Sequence, residues 1–90
     1  MNLYKLRKER ESELRKKRSA LARLEQEIEE NDRSRKALEQ RLEQPEVAAD
    51  YEAVTQTSQE IGKLQEVAEG LLLRWTELSE ELEALERAAQ

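Results

Sequence analysis

The 90-residue sequence has no cysteine, no histidine and no phenylalanine, and it has one tryptophan, one proline and two glycines. Without cysteine the chain forms neither a disulfide nor a thiolate metal site, which leaves the redox compartment open with a preference for the cytosol. Without histidine it lacks the commonest general base. Its 19 glutamates are not an acid–base pair unless a pocket shifts their pKa values. We therefore expect a non-catalytic chain with no metal site and no cofactor.

Long apolar runs and nucleotide-binding loops are also missing. No apolar stretch approaches the 18 residues of a membrane span, and the start MNLYKLRKER lacks the apolar segment of a signal peptide. Neither a GxxxxGK[ST] loop nor a GxGxxG motif occurs. We expect a cytoplasmic protein without a membrane partner, whose 90 residues do not themselves bind a nucleotide.

The residues that are present form helices. Ala, Glu, Lys, Leu and Arg make up 59 of the 90 residues, a composition typical of long helices and coiled coils. Leu, Ile and Val supply 19 residues, too few for a wide globular core. Order must therefore come from a narrow apolar seam.

Leucines follow a heptad repeat in the first half of the chain. The repeat predicts one helix from about residue 3 to 43, interrupted by polar Lys17, Asn31 and Arg35. Its apolar positions are Leu14, Leu21, Leu24, Ile28, Leu38 and Leu42.

A second seam occupies the other half. The interpretation places Val47, Tyr51, Val54, Ser58, Ile61, Leu64, Ala68, Leu71, Trp75, Leu78, Leu82 and Leu85 on it. The steps alternate between four and three residues except between Ile61 and Leu64, beside Gly62. Such an irregularity predicts a stammer, which overwinds a coiled coil locally.

The single proline separates the two seams. Pro45 disfavours helical geometry at Gln44 and suits the first turn of a following helix. Asp50 is a candidate N-cap for the returning helix. The predicted fold is all-α: a single antiparallel two-helix coiled-coil hairpin spanning residues 1–90, with arm 1 at about 3–43, the tip at 44–49 and arm 2 at about 50–88. At 1.5 Å per residue the rod is roughly 60 Å long.

Folding the arms about residue 46 gives each apolar residue an apolar partner in the same chain, which predicts a monomer. The predicted pairs are Leu38 with Val54, Ile28 with Leu64, Leu24 with Ala68, Leu21 with Leu71, and Leu14 with Leu78. Arg35 falls opposite Thr57 and Ser58, which makes one polar layer. That layer is either a register marker or a flexible joint used in function.

Charge is distributed unevenly along the chain. Residues 1–24 carry a net charge of +6 and residues 25–90 carry −11. A helical projection groups five cations opposite the apolar seam: Lys5, Lys8, Arg15, Lys16 and Arg18. This basic stripe is either a solvated face or a candidate nucleic-acid-binding surface that contacts backbone phosphates.

Trp75 lies opposite Lys17 in the predicted register. It is interpreted as a seam residue that packs under the lysine stem, or alternatively as a binding hot spot for a partner protein.

Two segments resemble a known family. The bend LEQPEVAADYEAV and the returning LLLRWTELSEELEAL, after a basic lead-in helix, resemble the C-terminal coiled-coil domain of the ABC-F family of ATP-binding proteins, the group that includes Uup. The family's tip pattern L-x-[DQ]-P-E-x-[YA]-x-D-Y matches Leu42, Gln44, Pro45, Glu46, Asp50 and Tyr51. Its [LE]-x-R-W-x-E-L pattern matches Leu72, Arg74, Trp75, Glu77 and Leu78. Ala48 stands where an aromatic residue is common, and QTSQ at 56–59 is unusually polar.

The resemblance implies a C-terminal accessory domain whose parent protein is an ATPase with two upstream ATP-binding domains in cis. It also implies action on the ribosome, in translation or antibiotic resistance, with DNA or RNA binding by this domain in some members. The expected function is contact with nucleic acid or the ribosome. The alternative is a structural spacer or protein-docking arm, and salt dependence of binding separates the two.

Overall fold

The computed structural model describes residues 2–89, which form a rod of 71 × 16 × 15 Å. Three helices follow in order: α1 at Leu3–Glu43, the one-turn α2 at Pro45–Ala48, and α3 at Tyr51–Ala89. Helices α1 and α3 pack along each other, and the described residues contain no strand. The predicted fold class, an all-α helical hairpin, is confirmed.

Proline sets the geometry of the tip. Gln44, which precedes Pro45, has extended backbone angles (φ −68°, ψ 129°), as expected for a residue before proline. Pro45 then opens α2, whose Val47 is only 8% exposed. Asp50, the candidate cap, accepts a hydrogen bond from the backbone N–H of Ala53 through its Oδ1 (3.2 Å) and so caps the start of α3. The chain therefore reverses over a short helix rather than over an irregular loop.

The seam of α1 follows the heptad without interruption from residue 14 to 42. Leu24 and Asn31 are buried, and the other seam positions of this stretch are half-buried, including Lys17 and Arg35. Half-burial is expected where only two helices pack, because each seam side chain remains open to solvent at its edge. Leu14, Leu21 and Ile28 belong to this half-buried group.

The seam of α3 differs from the prediction at three positions. Thr57 is 3% exposed while Ser58 is exposed, so Thr57 and not Ser58 faces α1. Tyr51 is 86% exposed and Trp75 is 37% exposed, so Tyr51 is not a seam residue and Trp75 lies at the seam's edge.

When the seam position is assigned to Thr57 and not to Ser58, the predicted stammer disappears. From Val54 to Leu85 the steps alternate regularly between three and four residues, with Leu64 half-buried and Leu78 only 3% exposed. The apparent irregularity next to Gly62 came from assigning the seam to the wrong one of two adjacent hydroxyl residues. The prediction of local overwinding is therefore wrong.

The register also differs from the predicted one. Asn31 meets the backbone of Leu64, and Lys17 meets Glu81, where the prediction placed Ile61 and Trp75. Leu24 shares a groove with Leu78. The reason is at the tip: helix α2 lies between the arms, so the bend is centred beyond residue 46 and the pairing shifts by about one turn.

Candidate nucleic-acid interface

The five cations of the basic stripe all lie on α1 and are exposed. Lys5, Lys8, Arg15 and Lys16 make no ion pair within residues 2–89. Their helical positions are opposite the seam, so they project from the outer face of α1. Here four charges are held on a rigid helix without an acidic partner.

The start of α1 is anchored by its cap. The Asn2 side chain accepts a hydrogen bond from the backbone N–H of Lys5 (3.1 Å), which satisfies one of the free donors of the first turn. The ammonium of Lys8 lies 5.5 Å from the centre of the Tyr4 ring, within the range of a cation–π contact. These two contacts order the end of the helix that carries Lys5 and Lys8.

Arg18 differs from the other four cations. Its Nη2 donates to Glu86 Oε1 at 3.4 Å across the two arms, so part of its charge is already compensated. The neighbouring Lys17 donates to Glu81 at 2.9 Å. That hydrogen bond and the charge of Lys17, followed by Arg74, hold the pKa of the Glu81 carboxyl below its ordinary value. Both cross-arm pairs tie the basic end of α1 to α3.

Trp75 does not pack under Lys17. Its indole N–H donates to Glu25 Oε1 at 3.2 Å, and the ring borders a groove with Ile28 and Leu72. The prediction failed because it relied on the register centred on residue 46. In the observed register Lys17 reaches Glu81 instead.

The acidic part of the chain lies closer to the stripe than its sequence position suggests. An antiparallel hairpin places residues 74–89, with five Glu and two Arg, beside residues 1–24, and together the two segments carry a net charge of +3. Exposed Glu80 and Glu83 have helical positions on the outer face of α3. The open end of the rod is therefore basic on one face and acidic on the other, across a width of about 16 Å.

A polar layer lies between the midpoint of the rod and the tip, but it differs from the predicted one, because Arg35 borders a groove with Ala68 and Leu72 and not with Thr57 or Ser58. Asn31 donates from Nδ2 to the carbonyl oxygen of Leu64 (3.0 Å), and Arg35 donates from Nη2 to Asp32 Oδ1 (2.7 Å). The Nε of Arg35 is buried without a hydrogen-bond partner in the described part of the chain. A hydrogen bond from Lys36 is the main cause that lowers the pKa of Asp32; desolvation opposes it, and a hydrogen bond from Arg35 adds to the lowering. The charged side chains of this layer therefore form ion pairs with one another.

Among residues 2–89 no group of acidic side chains is arranged to hold a metal ion, and no helix has an apolar stretch long enough to cross a membrane. The grooves are shallow depressions along the junction of the two arms. Sequence reasoning missed Glu25 and Glu86 as cross-arm partners, because a glutamate on a heptad flank looks the same whether or not a partner faces it.

Comparison with known families gives one result. Residues 4–80 match the model of the family described as ABC transporter C-terminal domain, which covers most of the chain. No curated protein and no solved structure matches the chain.

Proposed function

This chain belongs to the ABC transporter C-terminal domain family, and from that premise we propose that it is a non-catalytic accessory domain that contacts nucleic acid through the outer face of α1. The contacted atoms are backbone phosphates of DNA or of RNA, including ribosomal RNA. The proposed parent is an ABC-F ATPase of the Uup type, whose ATP-binding domains lie in cis. The domain itself uses no cofactor. The tip motif around Pro45 and the Arg74–Trp75 motif support this subtype.

The observation that carries the proposal is the set of four unpaired cations on one helix face. Lys5 and Lys16 are separated by about 16 Å at 1.5 Å per residue, which spans about five phosphates of one duplex strand at 3.4 Å spacing. Three or four simultaneous phosphate contacts are therefore geometrically reasonable. Lysines make such contacts as point charges and confer no base preference.

The acidic face of α3 makes this interaction weak and oriented. Screening acts over about 10 Å at 0.1 M salt, which is shorter than the width of the rod. A polyanion on the outer face of α1 is thus attracted by the stripe and only partly repelled by Glu80 and Glu83. The same polyanion on the opposite face meets carboxylates first. Binding therefore depends on one face of the rod, although the net charge of the chain is −5.

A rigid spacer or protein-docking arm is the second candidate. The 71 Å length of a rod only about 16 Å wide favours it, because such a shape separates two attached parts without needing a ligand. A spacer predicts no salt-dependent binding to nucleic acid.

The test is fluorescence anisotropy of a labelled DNA duplex and a labelled RNA hairpin at several salt concentrations. We expect weak binding without sequence preference, and a slope of log K against log salt near −3 for three or four phosphates. A variant with glutamine at Lys5, Lys8, Arg15 and Lys16 should flatten that slope while keeping its helicity, because glutamine is a good helix former.

A matched control changes the same number of charges elsewhere. Its four substitutions to glutamine are at Arg33, Lys36, Arg41 and Lys63, which also lower the net charge by four. The control should bind nearly as well as the wild type. Equal loss in both variants would show that total charge matters and not the stripe. Binding that is insensitive to salt would also remove the stripe from the function, and the absence of any salt-dependent binding would favour the spacer.

A further inference from the structure

An apolar groove runs along one flank of the rod, away from the basic stripe. It has a volume of about 360 Å³ and lies between Glu25, Ile28 and Glu29 of α1 and Leu72 and Trp75 of α3. Leu72 is 53% exposed and Trp75 is 37% exposed, although both are large apolar side chains. The depression continues towards Ala68. Leu72 and Trp75 thus leave a small apolar surface beside Ile28 that is open to a partner.

Trp75 is positioned for contact rather than buried as core. Its indole N–H is already satisfied by Glu25 at 3.2 Å, so the ring needs no further polar partner. The hydrogen bond holds the ring at the groove. A tryptophan with a satisfied N–H and an accessible ring is the type of residue that dominates the binding energy of protein interfaces.

The rim of the groove is acidic on one side only. Glu25 and Glu29 are exposed and make no ion pair within residues 2–89, whereas Asp32 is held by Lys36 and Arg35. On the α3 side, the lining residues Leu72 and Trp75 are uncharged. An apolar floor beside two carboxylates that have no cationic partner within residues 2–89 complements a ligand with an apolar face and a positive edge. The same carboxylates repel the phosphates of a nucleic acid.

We propose that this groove binds a basic amphipathic α-helix of a partner protein. Two packed helices leave a groove into which a third helix can place apolar residues spaced at i, i+3 or i+4, and i+7. Such residues would contact Ile28, Leu72 and Trp75, while Lys or Arg at the edge of the helix would face Glu25 and Glu29. The groove is formed at residues 25–29 of α1, further from the open end of the rod than the basic stripe at residues 5–18, so the proposal does not depend on nucleic-acid binding.

Trp75 provides the signal for the test, since it is the single tryptophan of the chain. The probe is an 18-residue synthetic peptide of Leu and Lys whose leucines follow the i, i+3, i+4, i+7 pattern. We expect a blue shift of Trp75 emission and saturable binding. Two further peptides are compared: the same pattern with Glu in place of Lys, and a scrambled Leu/Lys peptide of equal charge. Both should bind at least tenfold more weakly.

Adjacent leucines provide a matched pair of variants. Leu72 borders the groove, whereas Leu73 is 63% exposed and lies about 100° further round α3. Leu72→Gln should weaken binding at least tenfold and Leu73→Gln should leave it within about twofold. The double variant Glu25→Gln, Glu29→Gln should weaken binding of the Lys peptide and reduce its preference over the Glu peptide. Circular dichroism verifies that each variant keeps the helical content of the wild type.

Four outcomes would overturn the proposal. Equal weakening by Leu72→Gln and Leu73→Gln, or equal binding of the patterned and scrambled peptides, would mean non-specific adhesion. A dimer in sedimentation that Leu72→Gln abolishes would assign the groove to a second copy of this chain. Duplex DNA that shifts Trp75 emission in the wild type but not in Leu72→Gln would assign it to nucleic acid.

Discussion

The apolar layer at the midpoint of α1 and the polar layer one heptad closer to the tip occupy equivalent heptad positions but have different roles. In the apolar layer, Leu24 and Leu78 are 8% and 3% exposed and share a groove. In the polar layer, Asn31 is 9% exposed and donates a side-chain hydrogen bond to the backbone carbonyl of Leu64. Burial of apolar surface stabilises a helix pair, whereas a buried amide mainly selects one register.

The cations of the two regions also differ in whether they have acidic partners. The basic stripe lies on the outer face of the apolar part, where α1 and α3 are also joined by the pairs of Lys17 and Arg18. The cations of the polar layer, by contrast, are engaged by Asp32. A cation near the seam forms an ion pair within the hairpin, whereas a cation opposite the seam is available to a ligand.

Leu78→Ala should have the largest effect on stability. Truncating this nearly buried leucine removes apolar contact in a narrow seam, with an expected cost of about 2–5 kcal/mol in the free energy of unfolding. Urea denaturation followed by circular dichroism measures it. The matched change Leu73→Ala, at a 63% exposed leucine of the same helix, should cost far less. Similar costs would mean that the apolar layer is not where the stability lies.

Arg35→Leu should change the free energy of unfolding less than Leu78→Ala does. It should leave this free energy nearly unchanged or raise it. The substitution removes a half-buried guanidinium whose Nε has no hydrogen-bond partner among residues 2–89, and replacing buried polar groups by apolar ones of similar volume is often neutral or stabilising. Urea denaturation of Arg35→Leu beside Ile28→Ala makes the comparison. Arg35→Leu unfolding the rod as readily as Ile28→Ala would show that the polar layer contributes stability and not only register.

Glu81→Gln should have the smallest effect, and it should depend on pH. Because the pKa of Glu81 is lowered in the folded state, its pairing with Lys17 stabilises the fold above the ordinary glutamate pKa, about 4.3, and this contribution is lost as the pH falls through the lower folded value. The wild type should therefore be slightly more stable than the variant at pH 7 and equal to it in strong acid.

Thermal denaturation between pH 7 and pH 2 measures this difference. Glu80→Gln serves as the control, because Glu80 is exposed and makes no ion pair in the described chain. A gap between wild type and Glu81→Gln that persists unchanged in acid would contradict the role assigned to the carboxylate charge.

The sequence predicts the hairpin well because its signals are strong and redundant. Heptad spacing and the single proline each indicate two helices that meet at Pro45. The precise seam of α3 was not predictable, since Thr57 and Ser58 are adjacent hydroxyl residues and either can occupy one seam position. The register depended on the centre of the bend, which the short helix at Pro45–Ala48 displaced.

The candidate sites were predicted unequally. The stripe could be found from spacing alone, because exposed charges opposite a seam follow from helix geometry. The ion pair between Arg18 and Glu86 could not be found from spacing, because it joins residues that are 68 positions apart in the sequence. The groove at Trp75 was hidden by the wrong register, and the proximity of acidic residues to the stripe was hidden by considering charge along the sequence rather than across the rod.

The most direct test of the account is a residue-resolved map of nucleic-acid contact on the 90-residue chain. Amide chemical shifts recorded by NMR during titration with a short DNA duplex should change along residues 5–18 of α1. The outer face of α3 around Glu80 and the tip around Tyr51 should remain unchanged, and added salt should reverse the shifts. Changes centred on the tip or on α3, or changes that persist at high salt, would contradict the claim that the outer face of α1 is the nucleic-acid interface.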